Sequence, residues 1–372
     1  RELTRCGHEV IIFERHDSPG GMLNQGIPVF RLPRDIIDKE INQVLEQNIK
    51  VYYNKDIKTY KEVEELAAKY DAVLLALGTL KPNEINDEFS KSYNVEDGLD
   101  FLLRVNEYKS KYIGKNVVVI GGGYTSMDCA RTALRLGAKT VRTFYRRTTN
   151  DLIILPGELE ELINEHGKMI FNAQPIKLIE MNNRLTALEL IKTKLVKKKG
   201  AYRLEDIKGS SFKIKTDHII LAIGQQQHLT LGKNKRNNIF SVGDFATGAT
   251  TLINAIAHAK DVVKRVDKFL MKRDLFKSDL KVTDIKTTGR RLGLNYIPIQ
   301  EMPTINLSQR TFGREVEKGY KKNTAQKEAS RCYLCHYKFE INNDLCVLCD
   351  ECLLAKPIKD CIVEVSDVHE HG

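Results

Sequence analysis

Six of the eight cysteines in this 372-residue chain fall between Cys332 and Cys361, and the other two are Cys6 and Cys129. Cys332-x2-Cys335 is followed by Cys346-x2-Cys349-x2-Cys352 and then by Cys361. Thiolates at successive x2 spacings wrap one corner of an iron–sulfur cubane, with a fourth thiolate supplied from further along the chain. A ferredoxin-like run would place that fourth cysteine before Pro357, but residue 356 is lysine, so Cys361 is the nearest candidate. The pattern predicts one [4Fe-4S] cluster on Cys346, Cys349, Cys352 and Cys361, with Cys332 and Cys335 outside it or contributing to a second site. The competing arrangement pairs Cys332 and Cys335 with Cys346 and Cys349 as a tetrahedral zinc knuckle, for which a third x2 cysteine is superfluous. Clustering of this kind belongs to a reducing compartment rather than to a secreted disulfide framework. Cys129, alone in a helical stretch, reads as a packing residue and not as half of a redox dithiol.

A second chemistry is written in glycines. Gly121-x-Gly123-x-x-Ser126 follows the apolar run Val117 to Ile120 and opens a helical stretch. In a dinucleotide fold the first glycine permits the tight turn and the second lets the backbone approach a pyrophosphate. A small third residue then lets the helix pack close to the strand. The pyrophosphate would lie on the helix N-terminus, where unpaired N–H groups and the dipole favour negative charge. The next strand, Thr140 to Tyr145, ends in Arg146-Arg147, where an NAD site would carry an acid for the ribose 2′-hydroxyl. Arginines there predict a 2′-phosphate, hence NADPH.

A further nucleotide site is legible in half. Glu14 closes the apolar run Val10 to Phe13 and has the position of a ribose-binding acid, whose glycine fingerprint should lie about 20 residues upstream. Gly20-Gly21 makes a turn after it. Ala76-Leu77-Gly78 and Ala222-Ile223-Gly224 each end a buried strand with a small residue and a glycine. Gly243-Asp244, followed by a helix from Ala249-Thr250, offers a carboxylate and amides to a ribityl chain and flavin.

The elements that must position these residues alternate as strand and helix, which predicts an α/β fold of two Rossmann-like dinucleotide-binding domains plus a small cysteine-rich C-terminal segment. The expected boundaries are 1–108 and 227–272 for the stretches carrying Glu14 and Gly243-Asp244, 109–226 for the domain carrying Gly121, 273–330 for a connecting arm and helix, and 331–372 for the cysteine segment. Within the arm, Arg314 to Arg331 reads as largely helical. The opening RELTRCG reads as the end of a helix stopped by Gly7, so the chain is expected to begin after the true start of its domain, with the fingerprint upstream.

Charge and hydropathy exclude several classes. The net charge of +10 divides into −4 over residues 331–372 and +14 over the rest. Part of the excess is Lys192, Lys194 and Lys197 to Lys199, which carry no interleaved aromatics and read as a solvated hairpin rather than a nucleic-acid patch. No apolar run approaches the ~18 residues of a membrane span. A basic body could favour an acidic redox partner.

Taken in order, GGML, GIPVFRLP, GGGYTSMDCARTALRLGA, FYRR, LAIGQ and SVGDFATGATTLINAIA resemble the small-subunit family of NADPH-dependent glutamate synthase, which also includes flavin subunits of other oxidoreductases. The resemblance runs from residue 1 to about residue 270. It implies an FAD domain built from two separated stretches, 1–108 and 227–272, with an NADPH domain, 109–226, inserted between them. It also implies FAD contacts at Glu14, Gly20, Gly21, Gly243 and Asp244, and NADPH contacts at Gly121, Gly123, Arg146 and Arg147. Gly78, Ser126, Gly224 and Thr250 complete the expected cofactor-binding set, and no side chain is expected to act as nucleophile or general base. The expected function is an NADPH-dependent flavin oxidoreductase subunit, cytoplasmic, passing electrons through FAD to a [4Fe-4S] cluster and a partner protein or larger subunit. Two alternatives stand beside it: an NADPH-binding assembly subunit without FAD, and a nucleotide-binding domain fused to a zinc-stabilised interaction module.

Overall fold

The computed structural model describes residues 1–107, 112–155, 157–198, 201–230, 236–272 and 297–331, with the single positions 347, 349 and 352. Cys332, Cys335, Cys346 and Cys361 therefore lie outside the described residues. The chain divides into two compact units, one of residues 1–283 and 302–319 and one of residues 284–301 and 320–372. In the smaller unit the helix Lys322–Ala329 is fastened through Glu328, whose carboxylate accepts from the Gln300 amide at 2.9 Å.

The larger unit is built on a parallel sheet in the order Val95–Asp97, His218–Leu221, Asn116–Ile120, Thr140–Tyr145, Lys168–Phe171. Strands buried on both faces need apolar residues at successive positions, and Val117 to Ile120 and Ile219 to Leu221 supply them. Val117, Val119, Val141 and Ile220 face the helices Gly98–Glu107 and Tyr124–Arg135. Val118, Ile120, Ile219 and Leu221 face Leu178, Leu185, Leu188 and Leu190 of an antiparallel sheet. That second sheet is made of Ala173–Met181, Arg184–Lys198, Ala201–Asp206 and Phe212–Lys215. Lys192, Lys194 and Lys197 are exposed on it, as a solvated hairpin requires.

Two further pairs of parallel strands complete the α/β architecture. Val10–Phe13 pairs with Ile49–Tyr52, and Val73–Leu75 pairs with Ile239–Ser241. Among the described residues no backbone ladder joins these two pairs. The long helix Leu252–Met271 covers the second pair, packing Val262 and Val266 against Leu74, Phe240 and Val242. This region continues into the five-stranded sheet through a two-stranded antiparallel ribbon, Lys81–Pro82 against Gln225–Gln226.

Three expectations are corrected. The run Arg314 to Arg331 is helical only over Lys322–Ala329. Gly313 and Gly319 bracket a stretch that instead pairs back on residues 304–305, with the Val316 carbonyl accepting from the Ile305 amide at 2.9 Å. The helix after Gly243-Asp244 begins at Leu252, because a separate short helix, Asp244–Thr247, and Gly248 at φ +84° intervene. Finally, the polar stretch Lys81 to Asp97, which reads as a connection, ends in the strand Val95–Asp97 of the five-stranded sheet; three residues with two acids among them carry no readable strand pattern.

Candidate dinucleotide site

Parallel pairing sets the carboxyl ends of the strands side by side, and that edge of an open sheet is where ligands bind. Ile120 lies opposite Phe144 on one side and Leu221 on the other, so Gly121, Arg146 and Ala222 leave the edge as neighbours. Gly121 is at φ +150°, its amide donates to the Phe144 carbonyl at 3.0 Å, and a Cβ on it would overlap the Ala222 carbonyl oxygen. A Cβ on Gly122 would overlap the Tyr145 ring. Gly123, the N-cap of Tyr124–Arg135, has nothing within 4 Å of its Cβ position: the third glycine faces open space where the other two face protein. Ser126 is fully buried and its hydroxyl donates to the Gly123 carbonyl at 2.7 Å, closing the first turn without the bulk that would push helix from strand.

Arg146 and Arg147 are exposed, and neither guanidinium has a carboxylate within 4.0 Å among the described residues. Their backbone is fixed nevertheless, since the Thr193 hydroxyl donates to the Arg146 carbonyl at 2.6 Å and the Asn172 amide to that of Arg147 at 3.1 Å. The chain then turns back across the loop. The Tyr145 hydroxyl donates to the Asp151 carbonyl at 2.8 Å, and the Ile153 amide to that of Gly122 at 3.3 Å.

The second group of expected residues also gathers at strand ends. Leu75 lies opposite Ser241, so Gly78 (φ +65°) and Gly243 (φ +62°) leave adjacent strands on one edge. The Asp244 carboxylate accepts from the Thr250 hydroxyl at 2.9 Å, which ties the two residues expected to act together. Glu14 leaves the other strand pair, and its carboxylate accepts from the His16 amide at 3.0 Å. Gly21 has open space at its Cβ position, whereas a Cβ on Gly20 would sit 2.8 Å from Ile41 Cδ1. Gly224 stands apart from these, at the ribbon, where its carbonyl accepts from the Asn83 amide at 3.1 Å.

Spacing gave no sign of one feature. Arg31, Arg131, Arg135 and Arg310 meet Asp128, Glu158, Glu161 and Glu165 in a charge-balanced cluster behind the glycine-loop helix. Arg135 lies 3.7 Å from the Phe30 ring centroid, and Arg310 arrives from the hairpin that includes Val316. Burial alone would raise the Glu165 carboxyl, but hydrogen bonds and charge from Arg135 and Arg131 outweigh it and hold that group at about 2. Arg31 and Arg310 stand 97 to 149 residues from their carboxylates, so only the folded chain brings them together. Cys129 is fully buried, its thiol pushed well up by burial and donating to the Gly98 carbonyl at 3.4 Å, which fits the packing role expected of it. Cys349 and Cys352 are exposed and in no disulfide, and no metal-binding cluster occurs among the described residues.

Residues 1–169 match the family model of the pyridine nucleotide-disulphide oxidoreductases. The NADP(+)-dependent formate dehydrogenase subunit beta of Moorella thermoacetica is 28% identical over 90% of this chain and 52% of its own length. The glutamate synthase [NADPH] small chain of Bacillus subtilis (strain 168) is 29% identical over 73% of this chain and 64% of its own length. The chain thus spans about half to two thirds of these curated relatives. Among solved structures, Mycobacterium tuberculosis FprA in complex with NADPH has the same fold, with a TM-score of 0.62 at 17% identity over 71% of this chain and 78% of that one. The chain is thus similar to the pyridine nucleotide-disulphide oxidoreductases over residues 1–169, and to the glutamate synthase small chains over 72–73% of its length.

Proposed function

We propose that this chain receives electrons from NADPH on a flavin and passes them singly to the C-terminal cysteine segment and a partner subunit. The observation that supports it most is the glycine loop at the carboxyl edge of the five-stranded sheet, with Gly123 open and Arg146-Arg147 on the adjacent strand end. The residues fit a dinucleotide. The first turn of Tyr124–Arg135 presents unpaired N–H groups beside the empty Cβ position of Gly123, which suits a pyrophosphate. Two exposed guanidiniums held at their backbones suit a 2′-phosphate. On the same reading Glu14, Gly20, Gly21, Gly78, Gly243, Asp244 and Thr250 would hold FAD, Ser126 would keep the glycine-loop helix close, and Gly224 would act at the ribbon.

NADPH supplies electrons in pairs as hydride, and a flavin takes them in pairs and releases them one at a time, the mode an iron–sulfur cluster accepts. The chain's own part is to bind and orient. The nucleotide unit would run from the ribbon strand Lys81–Pro82 to Gln225–Gln226, inside an FAD region of residues 1–80 and 227–272. Cys346, Cys349, Cys352 and Cys361 would hold one [4Fe-4S] cluster, the thiolate set being that of a cubane, with Cys332 and Cys335 beside it. Such chemistry suits the reducing cytoplasm. Glutamate formation would need an amidotransferase subunit outside this chain, so the partner sets the final acceptor.

Cofactor preference tests the reading. Arg146→Ala with Arg147→Ala removes two charge-assisted contacts of about 1.5–3 kcal/mol each before solvent screening, so NADPH should weaken at least about 30-fold while NADH changes little. Equal loss for both cofactors would overturn the 2′-phosphate assignment. In the same preparation a flavin spectrum separates the oxidoreductase from a flavin-free NADPH-binding subunit. A broad brown absorbance bleached by reductant separates cluster from zinc.

A further inference from the structure

The segment from Gly20 to Arg34 touches both candidate nucleotide regions within fifteen residues. At its start Gly20 packs on Ile37 and Ile41 of the helix Arg34–Leu45. Its middle is fastened internally: the Arg34 guanidinium donates to the carbonyls of Leu23, Ile27 and Leu32 at 2.8–3.2 Å. Near its end Arg31 reaches across to the nucleotide unit, donating to Asp128 Oδ1 at 2.6 Å and to Glu158. Asp128 lies in the second turn of the glycine-loop helix, five residues after Gly123. Beside Arg31, Phe30 is buried under Arg135 and Arg131, and its carbonyl accepts from the Val316 amide at 3.1 Å.

The covalent connection between the same two regions is slight. A ribbon of two residues per strand gains little by itself and leaves rotation about its axis open. A rotation there would separate Arg31 from Asp128 and Glu158, two carboxylates with little exposure that would lose a partner together. The contact therefore opposes that rotation, together with Asn106, whose side-chain amide donates to the Gln25 carbonyl at 2.7 Å.

We propose that Arg31 is a positioning residue: its bridge to Asp128 and Glu158 sets the register between the glycine-loop helix and the Gly20–Gly21 turn, and so between nicotinamide and flavin. The proposal rests on the two-nucleotide reading above. Arg31 touches neither cofactor in it, so its loss should alter alignment while leaving NADPH affinity alone. Misplacement by about 1 Å costs on the order of a hundredfold in rate.

The test uses Arg31→Gln, Arg31→Lys and the double variant Arg31→Gln with Asp128→Asn, which removes a charge of each sign and guards against loss of the fold. Three quantities are read on the full chain: NADPH affinity by fluorescence titration, amide exchange at Asn83 in the ribbon, and the rate at which NADPH bleaches the flavin absorbance. Arg31→Gln and the double variant should bleach about 10- to 100-fold more slowly with NADPH affinity within about twofold. Asn83 should exchange about tenfold faster. Arg31→Lys should recover most of the rate, since one charged bond can re-form. Unchanged Asn83 exchange in both glutamine variants, or a fall in affinity as large as the fall in rate, overturns the register. A wild-type chain with no flavin absorbance overturns the flavin reading alone, and the exchange and affinity measurements still decide the register.

Discussion

Replacing Gly123 by alanine should separate binding from stability. Its φ of −111° is accessible to any residue, and the added methyl would meet nothing within 4 Å. As an N-cap, alanine is poorer than glycine by roughly 0.5 kcal/mol, while the stiffer unfolded chain returns roughly 0.4–1 kcal/mol. The two nearly cancel, so the melting temperature should move by no more than about 2 °C. The same methyl would occupy the space proposed for the pyrophosphate on the helix N-terminus. Displacing it should cost at least one charge-assisted N–H bond, about 1.5–3 kcal/mol, or roughly a 10- to 150-fold rise in the NADPH dissociation constant. Gly122→Ala is the control of opposite sign. There the methyl overlaps the Tyr145 ring, whose hydroxyl holds the Asp151 carbonyl, so overpacking should cost about 1–3 kcal/mol of stability. Thermal melting and fluorescence titration of both variants read the two effects. A Gly123→Ala chain that binds NADPH as tightly as wild type would show that the open side of the loop does not face the dinucleotide.

Acid stability should report on Glu165. Its carboxyl is held at about 2 in the folded chain against 4.5 ordinarily, so its contribution is present above pH 4.5 and lost as pH falls from there towards 2. Glu165→Gln should lower stability at pH 7 and flatten the decline across that window in chemical denaturation; a decline as steep as wild type would assign the acid sensitivity elsewhere. Thr59 caps the helix Tyr60–Lys69 in a reciprocal box with Glu62. Thr59→Ala should cost about 1 kcal/mol with NADPH affinity unchanged, and a loss of affinity would mean that this helix bears on the nucleotide site.

Local patterns were legible wherever an element carries its own reason. The strand Thr140–Tyr145 appears with the bounds expected of it, and the turn at Gly121 to Gly123 follows the apolar run before it. A Cβ on Gly121 would meet the Ala222 carbonyl and one on Gly123 would meet nothing, the contrast that a turn glycine and an approach glycine call for. What failed depended on partners distant in sequence. Val95–Asp97 is a strand because His218–Leu221 lies beside it, not because Val-Glu-Asp prefers extension. Val316 is extended because Ile305 and Phe30 take its backbone groups, although the acids and lysines around it favour a helix. Arg31 stands in the motif GIPVFRLP, and its carboxylates enter the chain 97 and 127 positions later.

The ribbon of Lys81–Pro82 and Gln225–Gln226 also bears on how such a chain can be rebuilt. If the stretch between these strands is the inserted domain proposed above, its entrance and exit lie hand in hand, and loops tolerate replacement when their ends stay close. The natural unit of exchange is then the whole cassette between the two strands, so a donor cassette with another nucleotide preference could be spliced at those four residues. The graft would need, beyond the splice, matching acidic faces for Arg31 and Arg310 and a seat for Phe30.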